Sequence, residues 1–391
     1  MKMLDRPTES PSVVHLLSGL EVGGKERAAL RLARRGIRVG DRHELWLFDT
    51  PYRSPGSDLD PGPVPVRFVP RRPGWDFRFV GYLVRRFHRF GVGVIHAYND
   101  TALCYAAMAC ALAQSWAPKL IATFHTWPTH GTLAAKISTR LAASRATALT
   151  AVSDDLAARL VTAGWLPHCQ IIRNGVDLDE FSPNGDDGGW HGRLGLARDR
   201  PLIVHLARFD PVKRHVDVIE AAGLVHAVCP DAVFVLAGEG PLQAEMRRKA
   251  ASMPFIRFVG NVAEPAALLR AASVFMLPSL DEAAPLALLE AMACACPAVC
   301  TNVGGIPAIL AGPDGRPAGI LVPACSPADL ASAVVQFLRS PSLRAQLSDR
   351  ARRAVGQFSF EREWGEYSAF YRSSTERVNK VNRKVSAMHQ N

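Results

Sequence analysis

The amino-acid sequence predicts an α/β protein built from two doubly wound domains of similar size. The chain has 391 residues, 48% of them apolar, so it can bury a core large enough for two domains. Short β-rich runs alternate with amphipathic segments, which is typical of βαβ units and parallel sheets. A stretch rich in Gly, Asp and Asn, residues 174–200, separates the two halves as a linker or domain edge would.

The β-rich runs predict the strands of each half. In the first half they are SVVHLL, HELWLF, GVGVIHAY, KLIATFH and ATALTAVS, and in the second half PLIVHLARF, DAVFVLAG, FIRFVG and SVFMLPS. We therefore expect a first domain at residues 1–175, a linker at 176–199, a second domain at 200–358 and a C-terminal helix with a basic tail at 359–391.

The segment SDDLAARLVTAG shows how local signals specify one helix. Ser153 is a suitable N-cap, and the two aspartates that follow it complement the dipole of the first turn. Leu156, Leu160 and Val161 predict an inward stripe, and Gly164 can end the helix. These are structural signals that carry no chemistry.

Charge and cysteine usage limit the partners and the compartment. Lys and Arg outnumber Asp and Glu by 46 to 36, and the net charge of +10 favours phosphorylated metabolites, nucleic acid or an acidic membrane face. The eight cysteines form no C-x-x-C pair, which favours reduced thiols over a zinc ribbon or a disulfide framework. The polar N-terminal segment does not match a signal peptide, so we expect a cytoplasmic protein. The most apolar long window, residues 101–120, contains Gln114, Ser115 and Pro118 and predicts a buried helix.

Ligands of open α/β sheets bind beyond the carboxyl ends of the strands, and candidate residues follow several of the runs. Gly23 and Gly24 would let a ligand approach the backbone closely, and the helix after them would direct N–H groups at an anion; a plain turn is the alternative. Arg208 offers a planar, forked guanidinium group and Lys213 a compact ammonium charge, and this combination suits a diphosphate. Two solvated charges are the alternative, although the dipole disfavours cations at a helix start.

Two further stretches lie in the second half. LAGEGPL supplies Gly238 and Glu239, which could line a nucleotide pocket or form an ordinary strand-to-helix turn. Glu282 and Glu290 flank seven uncharged residues, and Pro285 predicts that a helix begins between them. A carboxylate amid Ala and Leu needs hydrogen-bond donors, which neighbouring sugar or ribose hydroxyls can supply. An ion pair with a distant Arg is the alternative, and the spacing alone leaves this choice open.

Together these stretches resemble the retaining glycosyltransferases of family 4, which have the GT-B fold. The resemblance covers nearly the whole chain and rests on VGGKER, TFHTWP, AVSDDLAARLV, IIRNGVDLDEFSP, LARFDPVK, LAGEGPL and the segment from FVGNVAEP to GGIP. Glu282 and Glu290 match the E-x7-E pattern of that family. The resemblance implies two Rossmann-like domains facing each other across a cleft, with a C-terminal helix that crosses back to the first domain. The aromatic spacing of the C-terminal segment suits such a helix, through Trp364, Tyr367, Phe370 and Tyr371.

The resemblance also implies a role for each candidate residue of the second half. Arg208 and Lys213 would neutralise the diphosphate of a nucleotide-sugar donor. Glu290 would hold the ribose hydroxyls, and Glu282 would orient the donor sugar. Gly238 and Glu239 would line the donor pocket.

In the first half, the resemblance implies that Gly23 and Gly24 close over the phosphates and that His125 lies near the reacting sugar carbon. His125 and Glu282 are therefore the candidate catalytic residues. Three residues depart from the family pattern, which often has Gly where this chain has Ala283 and Ala295, and Glu where it has Ala308. These departures affect the loop shape and the donor preference, whereas the paired charges are intact.

The activity implied is transfer of a sugar, often a hexose, from a nucleoside-diphosphate sugar to an acceptor hydroxyl with retention of the anomeric configuration. Cations and helix N-termini can stabilise the leaving diphosphate, so neither a metal nor a cofactor is expected. A glycan or lipid-linked glycan of a surface polysaccharide, lipopolysaccharide or glycolipid pathway is the expected acceptor. A nucleotide-sugar epimerase of the GT-B fold and a nucleic-acid-binding protein are the alternatives, although no nucleic-acid-binding module is recognised.

An anionic membrane surface is a further expected partner. A run of cations in the first half is interleaved with aromatic residues: Arg67, Arg71, Arg72, Arg78, Arg85, Arg86 and Arg89, with Trp75, Phe77, Phe79, Phe87 and Phe90. Cationic helices with aromatic residues suit an anionic interface, which would place the enzyme peripherally on the inner face of the plasma membrane. An ordinary amphipathic helix with its aromatic residues in the core is the alternative.

Overall fold

The computed structural model describes residues 12–21, 23–52, 59–128, 131–312 and 314–372. The chain divides into two compact units, residues 1–172 with 364–391 and residues 173–363. Each unit contains one sheet in which every described strand pair is parallel. The prediction of two doubly wound α/β domains is confirmed.

The first unit has a seven-stranded sheet in the order β3-β2-β1-β4-β5-β6-β7. Its strands are β1 (Ser12–Leu17), β2 (Arg42–Leu47), β3 (Val66–Phe68), β4 (Val94–Ala97), β5 (Lys119–Phe124), β6 (Ala148–Ala151) and β7 (Gln170–Ile171). Its helices are α1 (Gly24–Arg38), α2 (Phe77–Arg89), α3 (Asp100–Ala113), α4 (Leu133–Ala143) and α5 (Asp154–Thr162). The strand order reverses beside β1, between β1 and β4.

The second unit has a six-stranded sheet in the order β10-β9-β8-β11-β12-β13. Its strands are β8 (Leu202–Leu206), β9 (Val233–Ala237), β10 (Ile256–Gly260), β11 (Val274–Leu277), β12 (Ala298–Thr301) and β13 (Ile320–Val322). Its helices are α6 (Trp190–Arg193), α7 (His215–His226), α8 (Gln243–Lys249), α9 (Pro265–Ala271), α10 (Leu286–Ala293), α11 (Ile306–Leu310), α12 (Pro327–Arg339) and α13 (Pro341–Ala354), and α14 (Phe360–Arg372) follows them. Here the strand order reverses between β8 and β11.

All nine β-rich runs contain a strand of the structure, and four short strands were not predicted: β3, β7, β12 and β13. Three of them, β3, β7 and β13, have only two or three residues, too few for a periodic pattern, whereas β12 has four residues, as many as the predicted strands β4, β6 and β11. The apolar window at residues 101–120 forms most of α3, whose side chains are largely buried. Among the described residues, no helix is both long and apolar enough to span a membrane.

The helix predicted from SDDLAARLVTAG is α5. Ser153 is its N-cap and accepts a hydrogen bond from the backbone N–H of Leu156, as predicted. Leu156 and Leu160 are buried, whereas Val161 is 39% exposed. The prediction for Val161 was wrong because a residue next to Leu160 points about 100° away from it around the helix.

Residues 176–199, the expected linker, lie within the second unit. Val176, Phe181 and Trp190 are buried in its core. The loop between Phe181 and Trp190 is held by the Arg270 side chain, which donates hydrogen bonds to backbone carbonyl oxygens of Ser182 and Asp186. A segment rich in turn residues therefore supplies part of a hydrophobic core.

Helix α14 begins in the second unit and ends in the first, as predicted for a helix that crosses back. At its start, the Glu363 carboxylate accepts a hydrogen bond from the backbone N–H of Gly175, 3.0 Å away. Tyr367 and Tyr371, farther along the helix, are buried in the first unit. The basic tail of the prediction, residues 373–391, lies outside the described residues.

The two tyrosines of α14 join a buried cluster of polar side chains in the first unit. Tyr371 Oη lies 2.8 Å from His96 Nδ1, and Tyr367 Oη lies 3.0 Å from Thr123 Oγ1. His15 continues the cluster, with its Nδ1 2.8 Å from Tyr98 Oη and its Nε2 2.9 Å from His43 Nδ1. Hydrogen bonds within the cluster offset the cost of burying these polar groups.

Burial keeps the histidines of this cluster uncharged. It lowers the pKa of His43 from 6.5 to about 4, and burial with the neighbouring histidines lowers the pKa of His15 and His96 well below the usual range. In the unfolded chain these side chains bind a proton near pH 6.5, so the unfolded state takes up more protons than the folded state below that pH.

We expect the free energy of unfolding to fall as the pH drops from about 6.5 towards 4. His43 alone should contribute a loss of about 2 kcal/mol at pH 5. Denaturant unfolding at pH 7.5, 6 and 5 measures this, and the variant His43→Gln should show a shallower dependence than the wild type. Equal slopes for the two proteins would contradict the assignment to His43.

Candidate functional site

The second unit brings several predicted residues together where its strand order reverses. Arg208 and Lys213 follow β8, and Glu282 follows the adjacent strand β11. The backbone N–H of Leu280 donates to the carbonyl oxygen of Val212 at 2.8 Å, which ties the two loops together. Such a reversal leaves a crevice at the carboxyl ends of the strands, the usual ligand site of this sheet type.

Lys213 and Glu282 form an ion pair across this reversal. Lys213 Nζ lies 2.5 Å from Glu282 Oε1, and Ser279 Oγ donates to the same oxygen at 2.7 Å. Among the described residues, Oε2 of Glu282 accepts no hydrogen bond, so it retains the capacity to accept from a ligand hydroxyl. Glu282 is 8% exposed, and a carboxylate buried to this extent depends on its partners.

The position of the Glu282 backbone is set by the glycine pair after β12. The backbone N–H of Gly305 donates to the carbonyl oxygen of Glu282 at 2.8 Å. Gly304 has φ +52°, and a Cβ atom there would overlap the same carbonyl oxygen. Thr301 also holds the loop after β11, because its hydroxyl donates to the carbonyl oxygen of Ser279 at 2.6 Å.

Gly238 and Glu239 lie in the turn after β9, packed against the loop after β8. Gly238 has φ +129°, and a Cβ atom there would overlap the carbonyl oxygen of Ala207. The backbone N–H of Phe209 donates to the carbonyl oxygen of Glu239 at 2.9 Å, and the Glu239 side chain is exposed. Gly238 thus has a structural reason to be glycine, and a role of this turn in a nucleotide pocket stays a prediction.

Glu290 lies on α10, past its first turn. The helix begins at Leu286 with Pro285 as N-cap, so the predicted helix start is confirmed. Glu290 is 4% exposed among apolar neighbours of the second-unit core. Ahead of α10, the side-chain amide of Asn174 donates to the carbonyl oxygen of Ala284 at 3.0 Å.

Helix α10 ends in a Schellman motif whose left-handed residue is Ala295, with φ +55°. The N–H of Cys296 donates to the carbonyl oxygen of Ala291 at 2.9 Å, and that of Ala295 to Met292 at 3.0 Å. The departure from the family pattern at this position therefore places a side chain where glycine is favoured. Ala283 does not have positive φ, and Ala308 is exposed on α11.

Two buried histidines lie beside the loop that carries Lys213. His205 Nδ1 donates to the carbonyl oxygen of Met276 at 2.8 Å, and the His215 ring stacks on Phe209 with centroids 3.9 Å apart. Burial lowers the pKa of His205 to about 4; burial, His205 and Lys213 lower that of His215 to about 2. Both rings are neutral at physiological pH and add no positive charge beside Lys213.

The first unit places His125 in a small cavity after β5. The cavity has a volume of about 60 Å³ and is lined by Lys25, Tyr98, Asn99, Asp100, Phe124, His125, Thr126, Trp127 and Pro128. Tyr98 stacks against His125 with ring centroids 5.7 Å apart. Burial lowers the pKa of His125 to about 3, with contributions from Lys25 and Arg31. His125 is therefore a neutral hydrogen-bonding group.

Gly23 and Gly24 differ in their surroundings at the start of α1. A Cβ atom on Gly23 would meet the Glu26 carboxylate, whereas Gly24 has no atom within 4 Å of the corresponding position. Glu26 is 6% exposed and pairs with Lys25 at 3.3 Å, and burial raises the pKa of its carboxyl group. Gly23 thus makes room for a buried carboxylate, and Gly24 is the glycine with open space beside it.

Sequence reasoning missed several residues of these two sites. Ser279 and Gly304 each follow a strand of the second unit, and Asp100 and Trp127 each follow a strand of the first. Strand β12, which precedes Gly304, was not predicted. The sequence therefore did not show that Gly304 lies beside Glu282. Asp100 and Trp127 do follow predicted strands and could have been found by extending the search to every strand end. Among the described residues, no group of three or more His, Cys, Asp or Glu side chains could hold a metal ion.

Two family comparisons cover most of the chain. The sequence profile of the family described as "Glycosyl transferases group 1" matches residues 188–354, and that of "Glycosyltransferase Family 4" matches residues 22–180. The two matches correspond to the two units of the structure. They show that the chain is a glycosyltransferase of the GT-B type, and it belongs to glycosyltransferase family 4.

Individual relatives agree with this assignment. The glycosyltransferase EpsF of Bacillus subtilis (strain 168) is 28% identical over 314 residues, 74% of this chain and 79% of EpsF. The D-inositol 3-phosphate glycosyltransferase of Geodermatophilus obscurus is 34% identical over 222 residues, 53% of this chain and 48% of that protein. The crystal structure of Anabaena HepE in complex with UDP and glucose has a TM-score of 0.76 at 19% identity, covering 95% of this chain and 99% of HepE. At 19% identity, the similarity to HepE shows the GT-B fold and nothing further.

We expect Ala295→Gly to raise the free energy of unfolding by about 0.5–1 kcal/mol, because it removes a left-handed Ala at the end of α10. Denaturant unfolding of the purified variant measures the change. Ala283→Gly is the matched control: its φ is not positive, so it should lower stability by up to about 1 kcal/mol. A stabilised control and an unchanged Ala295→Gly would contradict this account.

Gly304→Ala should destabilise the protein by about 2–4 kcal/mol, because it adds an overlap with the Glu282 carbonyl oxygen to the cost of a left-handed Ala. Gly315→Ala separates the two effects. Gly315 has φ +72° and no atom within 4 Å of its Cβ position, so this variant should lose only about 1 kcal/mol. Equal losses in thermal or denaturant unfolding would show that the overlap is relieved at no cost.

Proposed function

We propose that this glycosyltransferase moves a hexose from a nucleoside-diphosphate sugar to an acceptor hydroxyl with retention of the anomeric configuration. The observation that carries the proposal is the Lys213–Glu282 ion pair where the strand order of the second unit reverses. It sets a cation and a hydroxyl-binding carboxylate side by side, and a sugar diphosphate needs both. HepE, a protein of the same fold, binds UDP and glucose, which supports this class of donor.

The proposed donor contacts follow from the chemistry of the side chains. Arg208, which is exposed, and Lys213 neutralise the diphosphate, and Glu282 accepts hydrogen bonds from hydroxyls of the donor sugar. Glu290 accepts from the two ribose hydroxyls, and its carboxylate lies in the apolar surroundings that make such bonds strong. Gly238 and Glu239 line the donor pocket.

The proposed roles in the first unit rest on the cavity around His125. A neutral imidazole can exchange hydrogen bonds with a sugar hydroxyl without adding charge near the leaving diphosphate. Gly24, which has open space beside it, lets a phosphate approach the start of α1, and Gly23 keeps Glu26 in place there. His125 and Glu282 remain the proposed catalytic residues.

The chemical step needs stabilisation of the departing diphosphate while the sugar acquires oxocarbenium character. Preorganised cations supply this stabilisation in a site that need not reorganise during the reaction. The proposal assigns no metal, no cofactor and no protein nucleophile. It includes a glycan or lipid-linked glycan acceptor in a polysaccharide, lipopolysaccharide or glycolipid pathway, and a cytoplasmic location.

The alternatives draw less support. An epimerase of GT-B fold is not favoured, because both family profiles and the relatives above describe transferases. A nucleic-acid partner would account for the positive charge, yet the described residues form no recognised nucleic-acid-binding module.

A thermal-shift screen against UDP-, GDP-, ADP- and dTDP-sugars tests the donor assignment. A donor at a hundredfold its Kd should add about 2.7 kcal/mol to the free energy of unfolding. Glu290→Ala and Arg208→Ala should abolish the shift because they remove the proposed ribose and diphosphate contacts. NMR of the product determines its anomeric configuration. The same configuration as in the donor would support retention.

The matched controls are Glu245→Ala and Arg248→Ala, which remove one exposed charge of each sign from α8. They should shift with the donor as the wild type does. No shift with any nucleotide sugar, or equal loss in the control and site variants, would count against the proposed donor site.

A further inference from the structure

Helix α4 of the first unit carries an apolar stripe on its solvent face. Leu133, Ile137 and Leu141 are 71%, 51% and 67% exposed. Their spacing of four residues places them along one side of the helix. The buried side of the helix, formed by Thr139, Ala142 and Ala143, lies opposite.

This arrangement reverses the usual pattern of a surface helix, which presents polar side chains to water. Single exposed apolar residues are ordinary, but three large ones aligned on one helix mark an interaction surface. The question is then which partner fits the charges that surround the stripe.

The charges around the stripe are almost all positive. Helix α3 packs between α2 and α4, so the three helices form one layer on the sheet. Helices α2 and α4 contain only basic charged residues: Arg78, Arg85, Arg86, Arg89, Lys136 and Arg140, with His88 beside them. The layer contains two carboxylates: Asp100 on α3 is 6% exposed, and Asp76 caps the start of α2 by accepting hydrogen bonds from the backbone N–H groups of Arg78 and Phe79.

Aromatic residues at the start of α2 extend the layer. Trp75 and Phe77 are 58% and 72% exposed and stack on each other with centroids 6.4 Å apart. Phe79 and Phe87 are buried in the core, so part of the aromatic run predicted for a membrane face belongs to the interior instead. The apolar surface lies mainly on α4, which the sequence prediction did not include.

We propose that the α2–α3–α4 layer docks on an anionic membrane, with Leu133, Ile137 and Leu141 inserted among the headgroups and the basic residues of α2 and α4 against lipid phosphates. Apolar insertion and attraction to anionic lipid act together in such binding. Charge complementarity decides for this partner: a second copy of the layer would set like charges against each other.

This inference rests on the proposed function in one respect: membrane docking would bring a lipid-linked acceptor to the enzyme. The cavity around His125 is lined as far as Pro128, and α4 begins at Leu133, a few residues along the chain. The proposed membrane surface and the proposed catalytic residue His125 are thus close in sequence.

Co-sedimentation with vesicles tests the proposal. Vesicles of phosphatidylcholine with phosphatidylglycerol are compared with vesicles of phosphatidylcholine alone, at low and high salt. One variant carries Leu133→Gln, Ile137→Gln and Leu141→Gln, and a second carries Lys136→Gln and Arg140→Gln. The matched control, Leu224→Gln with Val228→Gln, changes two apolar residues of the second unit that are 49% and 51% exposed.

The wild type should bind the anionic vesicles, and salt should weaken the binding. The triple variant should lose about tenfold or more in partition coefficient, the charge variant should lose binding to anionic vesicles, and the control should match the wild type. Because the substituted residues are exposed, apart from Lys136, which is half-buried, unfolding temperatures should change little.

Equal binding to the two vesicle types, or an unchanged triple variant, would overturn the proposal. A change of oligomeric state in the triple variant, seen by analytical ultracentrifugation, would assign the stripe to a second copy instead. Thermal shifts with nucleotide sugars on the triple variant keep this result separate from the donor assignment, because donor binding does not depend on the stripe.

Discussion

The second unit depends on how closely its loops approach one another at the carboxyl ends of the strands. The Lys213–Glu282 ion pair forms because the loops after β8 and β11 are joined by a backbone hydrogen bond. The glycines after β9 and β12 have backbones pressed against those loops, at positions where a Cβ atom would overlap a carbonyl oxygen. Any residue with a side chain at these positions would push the loops apart, so the glycines are a condition for the ion pair to form.

The electrostatics of both units follow from burial. The histidines near the candidate residues have lowered pKa values because the protein interior disfavours their charged form. The positive charge near the candidate sites is therefore carried by arginine and lysine side chains and not by histidines.

Much of the fold was predictable because most strands of four or more residues and the long helices produce recognisable patterns, whereas β3 and β13 are too short to do so. The four-residue strand β12 was missed, because its residues continue the apolar run of α10. The start of α10 followed from Pro285. The ion pair between Lys213 and Glu282 could not be predicted from the sequence. The two residues are 69 positions apart, and only the adjacency of β8 and β11 brings them together. The positive φ of Ala295 was equally hidden, since an alanine gives no sign of a left-handed backbone.

The tyrosines of α14 set an order for the completion of the first unit. Tyr371 hydrogen-bonds to His96, which precedes it by 275 residues, and both side chains are buried. During synthesis, part of the interior of the first unit stays open to water until the ribosome has translated the second unit and then α14. Its last core contacts form after the second unit has left the ribosome, so the first half of the gene encodes the domain that finishes folding last.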